Sequence, residues 1–336
     1  MDGLILPVKK DIFPMRFALS AAALLAVATA APAVATANPQ LALIPDARSA
    51  MQRVEPRLMQ AEGMPYQHTV QIVLPASYAA QPDKAYPVLW VMDNAIMTSM
   101  VTGIVDILVS GNHMPEVIII GVGSAEEEGI AGVQRRYMDF SPPVGGTFLP
   151  DGLNGKVWAS IAPLPEMPQL ADKYLDFLVD QARPALCAEL RCADRHLFQG
   201  HSAGGMFGAY AMLARPGSFD DYILGSPFIA ANGGAVLEME EEFAATGQPL
   251  PANIYMGVGS EEADEWFLAV AGIVSGTAEF GNRLAIRDYE GLTLRTKFYE
   301  GEDHYTAAPR VVMDGLKHLF ADEAAAIGSS WPTKPE

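Results

Sequence analysis

The chain has 336 residues, 50% hydrophobic and 18% charged, enough to bury one large core, and a single catalytic domain is the simplest organisation. Its formal charge of −18 argues against polyanionic partners. Nucleic acid and anionic lipid need clustered Lys and Arg that release counterions, and this chain predicts neither as a partner.

Lys9, Lys10 and Arg16 precede an apolar run from Phe17 to Val34, which ends in Ala35-Thr36-Ala37 before Asn38. That order reads as a secretory signal over residues 1–37 with an A-x-A cleavage site, and a start at Met15 gives it a compact Met-Arg-Phe opening. No Cys follows the run, which excludes a lipoprotein anchor, and no later segment is long and apolar enough to span a bilayer. A periplasmic or secreted protein is therefore predicted, without stable membrane association after cleavage.

Residues 38–65 read as an N-terminal extension, 66–322 as the catalytic domain and 323–336 as a tail. Strands are predicted at His68 to Leu74, Tyr86 to Met92, Glu116 to Val122, Arg195 to Gln199, Tyr222 to Leu224, Asn253 to Val258 and Thr293 to Tyr299. Helical periodicity falls near Ile96 to Val109, Gln169 to Ala182, Gly204 to Leu213, Ala235 to Ala245 and Val311 to Ala321. Such alternation predicts an α/β fold, a mostly parallel sheet flanked by helices on both faces. The stretch at about 124–166 breaks the rhythm with many Gly and Pro, and is expected to be a lid or substrate wall. Cys187 and Cys192, with four residues between them, are expected to close a small disulfide loop between a helix end and a strand. Glu189 and Asp194 nearby do not make a convincing metal set.

The chemistry centres on Gly200-His201-Ser202-Ala203-Gly204. As a bare pentapeptide it is weak evidence. It follows the apolar strand Arg195 to Gln199 and precedes a small-residue helix start, the strand, sharp turn and helix order of a nucleophile elbow. In that turn the Ser202 hydroxyl stands above the sheet, and the N–H of Ala203 is the expected first oxyanion donor. A serine needs a base. His304, in the polar loop Glu300 to His304 after the last strand, is placed for that role, whereas His318 lies in an amphipathic helix. His201 is expected to line the pocket, since an elbow sends adjacent side chains apart. The third member should be a carboxylate after the strand Asn253 to Val258. Gly259 to Glu265 supplies four, of which Glu262 is chosen first, Glu261 second and Asp264 third.

Several stretches are similar to the esterase family of α/β-hydrolases that includes esterase D, mycolyltransferases and the enterobactin and salmochelin esterases. They are Tyr86 to Asp93, Arg136-Tyr137-Met138-Asp139-Phe140-Ser141-Pro142, Tyr174 to Leu178, Gly200 to Gly205, Ser226-Pro227 and Gly301 to His304, and the resemblance spans about Tyr66 to Phe320. It implies the α/β-hydrolase fold, nucleophile Ser202, base His304, acid Glu262 and a second oxyanion amide at Asn94 or Ala95. Here Asp93-Asn94 stands where the family has Asp-Gly. Arg136 is expected to face the cleft and bind substrate, to pin the lid through Asp139, or to form a plain salt bridge. Siderophore esterases tend to a Trp-rich stretch after the Ser-Pro pair, whereas this chain runs into Phe228-Ile229-Ala230-Ala231, and Phe228 is expected in the pocket wall.

The predicted activity is hydrolysis of a small-molecule carboxylic ester through an acyl-enzyme, with no metal or organic cofactor. A siderophore lactone is the narrower alternative, an acyltransferase would use the same triad, and a ligand-binding protein on a hydrolase scaffold is the rival of another class.

Overall fold

A computed structural model describes residues 51–124, 130–143 and 168–330. They belong to one compact unit that starts at Asp46. The expected signal and most of the expected lid lie outside the described residues.

The central strands form because their sequences are nearly unbroken apolar runs, which suit burial on both faces. Strand β4 (Tyr86–Met92) is the type case: Tyr-Pro-Val-Leu-Trp-Val-Met, buried at every position but the proline. Its side chains alternate between two cores, Val88, Trp90 and Met92 on one face of the sheet and Leu89 and Val91 on the other. With β1 (Gln52–Arg53), β2 (Arg57–Gln60), β3 (Gln67–Leu74), β5 (Ile118–Gly123), β6 (Cys192–His201), β7 (Asp221–Gly225), β8 (Ala252–Gly259) and β9 (Leu292–Tyr299), it builds a nine-stranded sheet. The order is β1-β3-β5-β4-β6-β7-β8-β9, with β2 also paired to β3. Pairing is parallel from β5 through β9, and β3 is antiparallel to β1, β2 and β5.

Helix α1 (Asn94–Ser110) and a helix starting at Ala203 follow β4 and β6 directly. Because β4 is flanked by β5 on one side and β6 on the other, the chain's winding reverses there. The crevice outside the carboxyl ends of those strands is where open α/β sheets bind ligands.

The structure adds elements that the pattern did not predict. Strands β1 and β2 fall in the stretch 38–65 expected to be an extension, and join the sheet through β3. Helix α2 (Ile130–Phe140) falls in the expected lid. The remaining helices, in chain order, are α3 (171–187), α4 (Ala203–Ala214), α5 (Ala235–Thr246), α6 (Trp266–Val270), α7 (Ile273–Arg287), α8 (Ala307–Leu319) and α9 (Ala321–Ile327). Of these, α6, α7 and α9 were not foreseen, and α9 runs into the stretch 323–336 expected to be a tail. The expected disulfide is present: Cys187 at the end of α3 and Cys192 at the start of β6 are bonded, with Cα atoms 5.5 Å apart. Among the described residues no helix is long and apolar enough to cross a membrane.

Candidate active site

Ser202 sits between β6 and α4 with φ 63° and ψ −124°, a conformation that non-glycine residues avoid and that is stored at functional turns. The turn can be this sharp because residue 200 is glycine: a Cβ there would lie 2.2 Å from the Gly204 carbonyl oxygen. The Ser202 amide donates to the Gly225 carbonyl at 2.8 Å, which ties the elbow to β7.

Ala203 and Asn94 are the first residues of α4 and α1, so their N–H groups have no acceptor within their own helices. Both helix N-termini stand at the carboxyl ends of the paired strands β6 and β4. Each helix start therefore leaves a main-chain donor at that end of the sheet, and such donors favour a negative charge placed against them. The Asn94 side-chain oxygen accepts from Thr98 Oγ1 at 2.8 Å, which fastens the side chain to its own helix.

His304 lies in the loop after β9. Its Nδ1 is 2.6 Å from Glu262 Oε2 and donates to that carboxylate, so Nε2 is left as the proton acceptor. Glu262 is fully buried, and its other oxygen accepts from Ser226 Oγ at 2.6 Å and from the Gly259 amide at 2.7 Å. Three donors thus hold one carboxylate, which offsets its removal from water. Glu261 and Asp264 are exposed and do not reach the imidazole. The His304 loop comes this close because residue 259 is glycine: a Cβ would lie 2.2 Å from the Glu302 carbonyl oxygen. Asp303 accepts from the amides of Tyr305 and Thr306, which holds its carboxyl below the usual range and fixes the turn into α8. Among the described residues no hydrogen bond joins the Ser202 hydroxyl to the imidazole, and such bonds often close only with substrate in place.

Three expected pocket residues have other partners. His201, expected to line the pocket, is 9% exposed, and its Nε2 donates to the His304 carbonyl at 2.8 Å. Burial pushes its pKa down to about 3, with the charge of His304 adding to the effect. Of the roles expected for Arg136, the structure shows the salt bridge: a two-point pair with Asp93, Nε to Oδ1 at 2.5 Å and Nη2 to Oδ2 at 3.0 Å. Its Nη2 also donates to the His201 carbonyl at 3.3 Å. Burial would lower the pKa of this guanidinium, and the Asp93 carboxylate more than reverses that and raises it. Asp139, on the same helix as Arg136, is taken instead by Tyr66 at 2.6 Å and His68 at 2.9 Å. Phe228 is buried, with its ring 6.0 Å from that of His304 and its amide bonded to the Ser202 carbonyl at 3.3 Å.

Ser226 and Asp93 had no role assigned from sequence. Both have positive φ at the end of a strand, a backbone signal that sequence pattern does not carry. Among the described residues no group of His, Cys, Asp or Glu could hold a metal ion.

The fold and the serine at its elbow define the class, an α/β-hydrolase. No family model matches the chain. By sequence it is 25% identical over 259 residues to the ferri-bacillibactin esterase BesA of Bacillus subtilis, spanning 74% of this chain and 84% of that one. It is also 28% identical over 225 residues to a siderophore triacetylfusarinine C esterase of Aspergillus fumigatus, spanning 61% and 71%. Among solved structures, an IroE-like serine hydrolase from Shewanella oneidensis superposes with TM-score 0.69 at 22% identity, over 81% of this chain and 80% of that one. The siderophore hydrolase EstA from Aspergillus nidulans gives 0.68 at 21%, over 82% and 96%. By fold the chain is an α/β-hydrolase, and by sequence it is similar to siderophore esterases.

Proposed function

We propose that this ester-hydrolysing enzyme works through Ser202, His304 and Glu262, and that its substrate is a siderophore ester. The observation that carries the triad is the 2.6 Å bond between His304 and the buried Glu262, at the same sheet edge as the strained Ser202. Ser202 Oγ attacks the ester carbonyl carbon while His304 Nε2 takes its proton. The carbonyl oxygen gains the negative charge and is met by the N–H groups of Ala203 and Asn94. His304 then returns the proton to the departing alkoxide, and water repeats the sequence to release the acid. Glu262 keeps Nε2 unprotonated at the start and stabilises the imidazolium that forms.

The siderophore part of the reading is supported by the substrates named for the sequence relatives. Export is part of the same proposal and rests on the signal-like residues 1–37, with the Cys187–Cys192 disulfide suiting an oxidising compartment. A fluorophosphonate probe and a p-nitrophenyl ester test the triad. Wild type should label and turn over, and Ser202→Ala should lose both; equal labelling of the two would end the proposal. Faster cleavage of siderophore lactones than of simple alkyl esters tests the substrate.

A further inference from the structure

His201 is a buried titratable group beside the site that the mechanism above does not use. It precedes the nucleophile, yet its ring bonds to a loop 103 residues away. The bond runs from Nε2 to the main-chain carbonyl of His304, and the two rings lie 4.6 Å apart at 43°. We propose that His201 is a positioning residue: its ring donor anchors the main chain of His304, while its own carbonyl, held by Arg136, ties that anchor to the turn at Asp93. The inference rests on His304 being the base.

Glu262 fixes the imidazole of His304 at a single atom, Nδ1, and a ring held at one atom can still swing about that bond. Fixing the carbonyl of the same residue removes the swing by immobilising the Cα to which the ring is attached. A second point of attachment is what turns a nearby base into an aligned one. The carbonyl of His201 then accepts from Arg136, whose guanidinium also grips Asp93, the residue before Asn94. One residue thereby links the base loop, the nucleophile and an oxyanion turn.

The other ring nitrogen supports this assignment. His201 Nδ1 is buried with no hydrogen-bond partner, and a Cβ on Gly225 would lie 2.7 Å from it. A leucine or phenylalanine would fill the same space without leaving a bare nitrogen in an apolar setting, so an unsatisfied buried group calls for a reason. The reason is the donor on Nε2. Burial also keeps this ring neutral, so no second cation opposes the proton that His304 accepts.

The test compares His201→Phe and His201→Leu, which remove the donor, with His201→Gln, whose amide nitrogen can reach the position of Nε2. For each, kcat and KM on a p-nitrophenyl ester and the rate of fluorophosphonate labelling are measured, with a thermal melt as the folding control. Phe and Leu should lower kcat by roughly 10- to 100-fold with KM within about twofold, and slow labelling in proportion. Gln should restore kcat to within about fivefold of wild type. Wild-type kcat in Phe, a Gln variant as impaired as Leu, or a loss confined to KM would overturn the role. If Phe and Leu fail to fold, His201→Asn replaces them, since its shorter amide cannot reach the carbonyl; Asn and Gln behaving alike would overturn it. Wild-type protein that neither labels nor turns over ester overturns the triad itself, which is a different result from labelling that the variants leave unchanged.

Discussion

Glu262 has two oxygens with separate duties, one for His304 and one for Ser226 and Gly259. Glu262→Gln can keep an oxygen on only one side. If the amide nitrogen faces Gly259, two N–H groups meet; if it faces His304, the imidazole loses its acceptor and its tautomer. Either way kcat for ester hydrolysis should fall by on the order of 10²- to 10⁴-fold with the fold retained, since the orienting acid of such a triad contributes that much. Glu261→Gln, on an exposed side chain, should stay near wild type, and an equal loss in both variants would remove Glu262 from the triad. Sequence ranked Glu262 first among its neighbours but could not separate them on chemistry, because all four acids share one polar stretch. The separation comes from the 3₁₀ turn Ser260–Ala263, which points one carboxylate inward and leaves Glu261 and Asp264 in water.

Elements with a strong local pattern were legible. Strand β4 begins and ends where its apolar run does, at Tyr86 and Met92, and the helix following Ser202 starts within one residue of its predicted position. Helix α7 was not legible, because its sequence, Ile-Val-Ser-Gly-Thr-Ala-Glu-Phe-Gly, mixes glycine, serine and threonine where helix propensity is low. Its glycines are explained by packing: Gly276 lies against Ala230 in the loop after β7 and Gly281 against Thr296 and Met256 of the sheet, so close tertiary contact replaces propensity. Strands β1 and β2 were missed for a related reason, being short edge segments with exposed or half-exposed side chains. The disulfide closes a short loop at the start of β6, the opposite end from Ser202 and about 30 Å away along the strand. A loop this small constrains the unfolded chain by about 2 kcal/mol. Reduction, or Cys187→Ser with Cys192→Ser, should therefore lower the melting temperature by a few degrees and leave ester turnover within about twofold. A large loss of turnover would mean that the loop communicates with the elbow.

At the scale of the whole molecule, folding suppresses the charge of two histidines. Burial pushes His196 down to about 4, where its Nδ1 accepts from Trp90, and His201 down to about 3. In the unfolded chain both titrate near 6.5. Between about pH 6.5 and 4 the unfolded chain therefore binds protons that the folded chain refuses, and stability falls as pH drops through that window, by at most ~1.4 kcal/mol for each pH unit and each group. Thermal melts from pH 7 to 4.5 should show a falling midpoint. His196→Gln, which keeps an acceptor for Trp90 but cannot be protonated, should fall less steeply, and parallel curves would exclude this cause.

What the sequence determined by itself was whatever is written in a contiguous stretch: the alternation that makes the sheet, the strand-turn-helix segment around Ser202, and the polar loop carrying His304. Those depend on neighbours a few residues away, and periodicity records them. Only the tertiary structure decided which carboxylate meets His304, that Arg136 grips Asp93 and not Asp139, and that His201 bonds to the base loop. These choices join segments 42 to 103 residues apart, and are set by how close two backbones come at Gly259 and by positive φ at Asp93 and Ser226. Neither a close approach nor a backbone angle leaves a periodic trace in the chain.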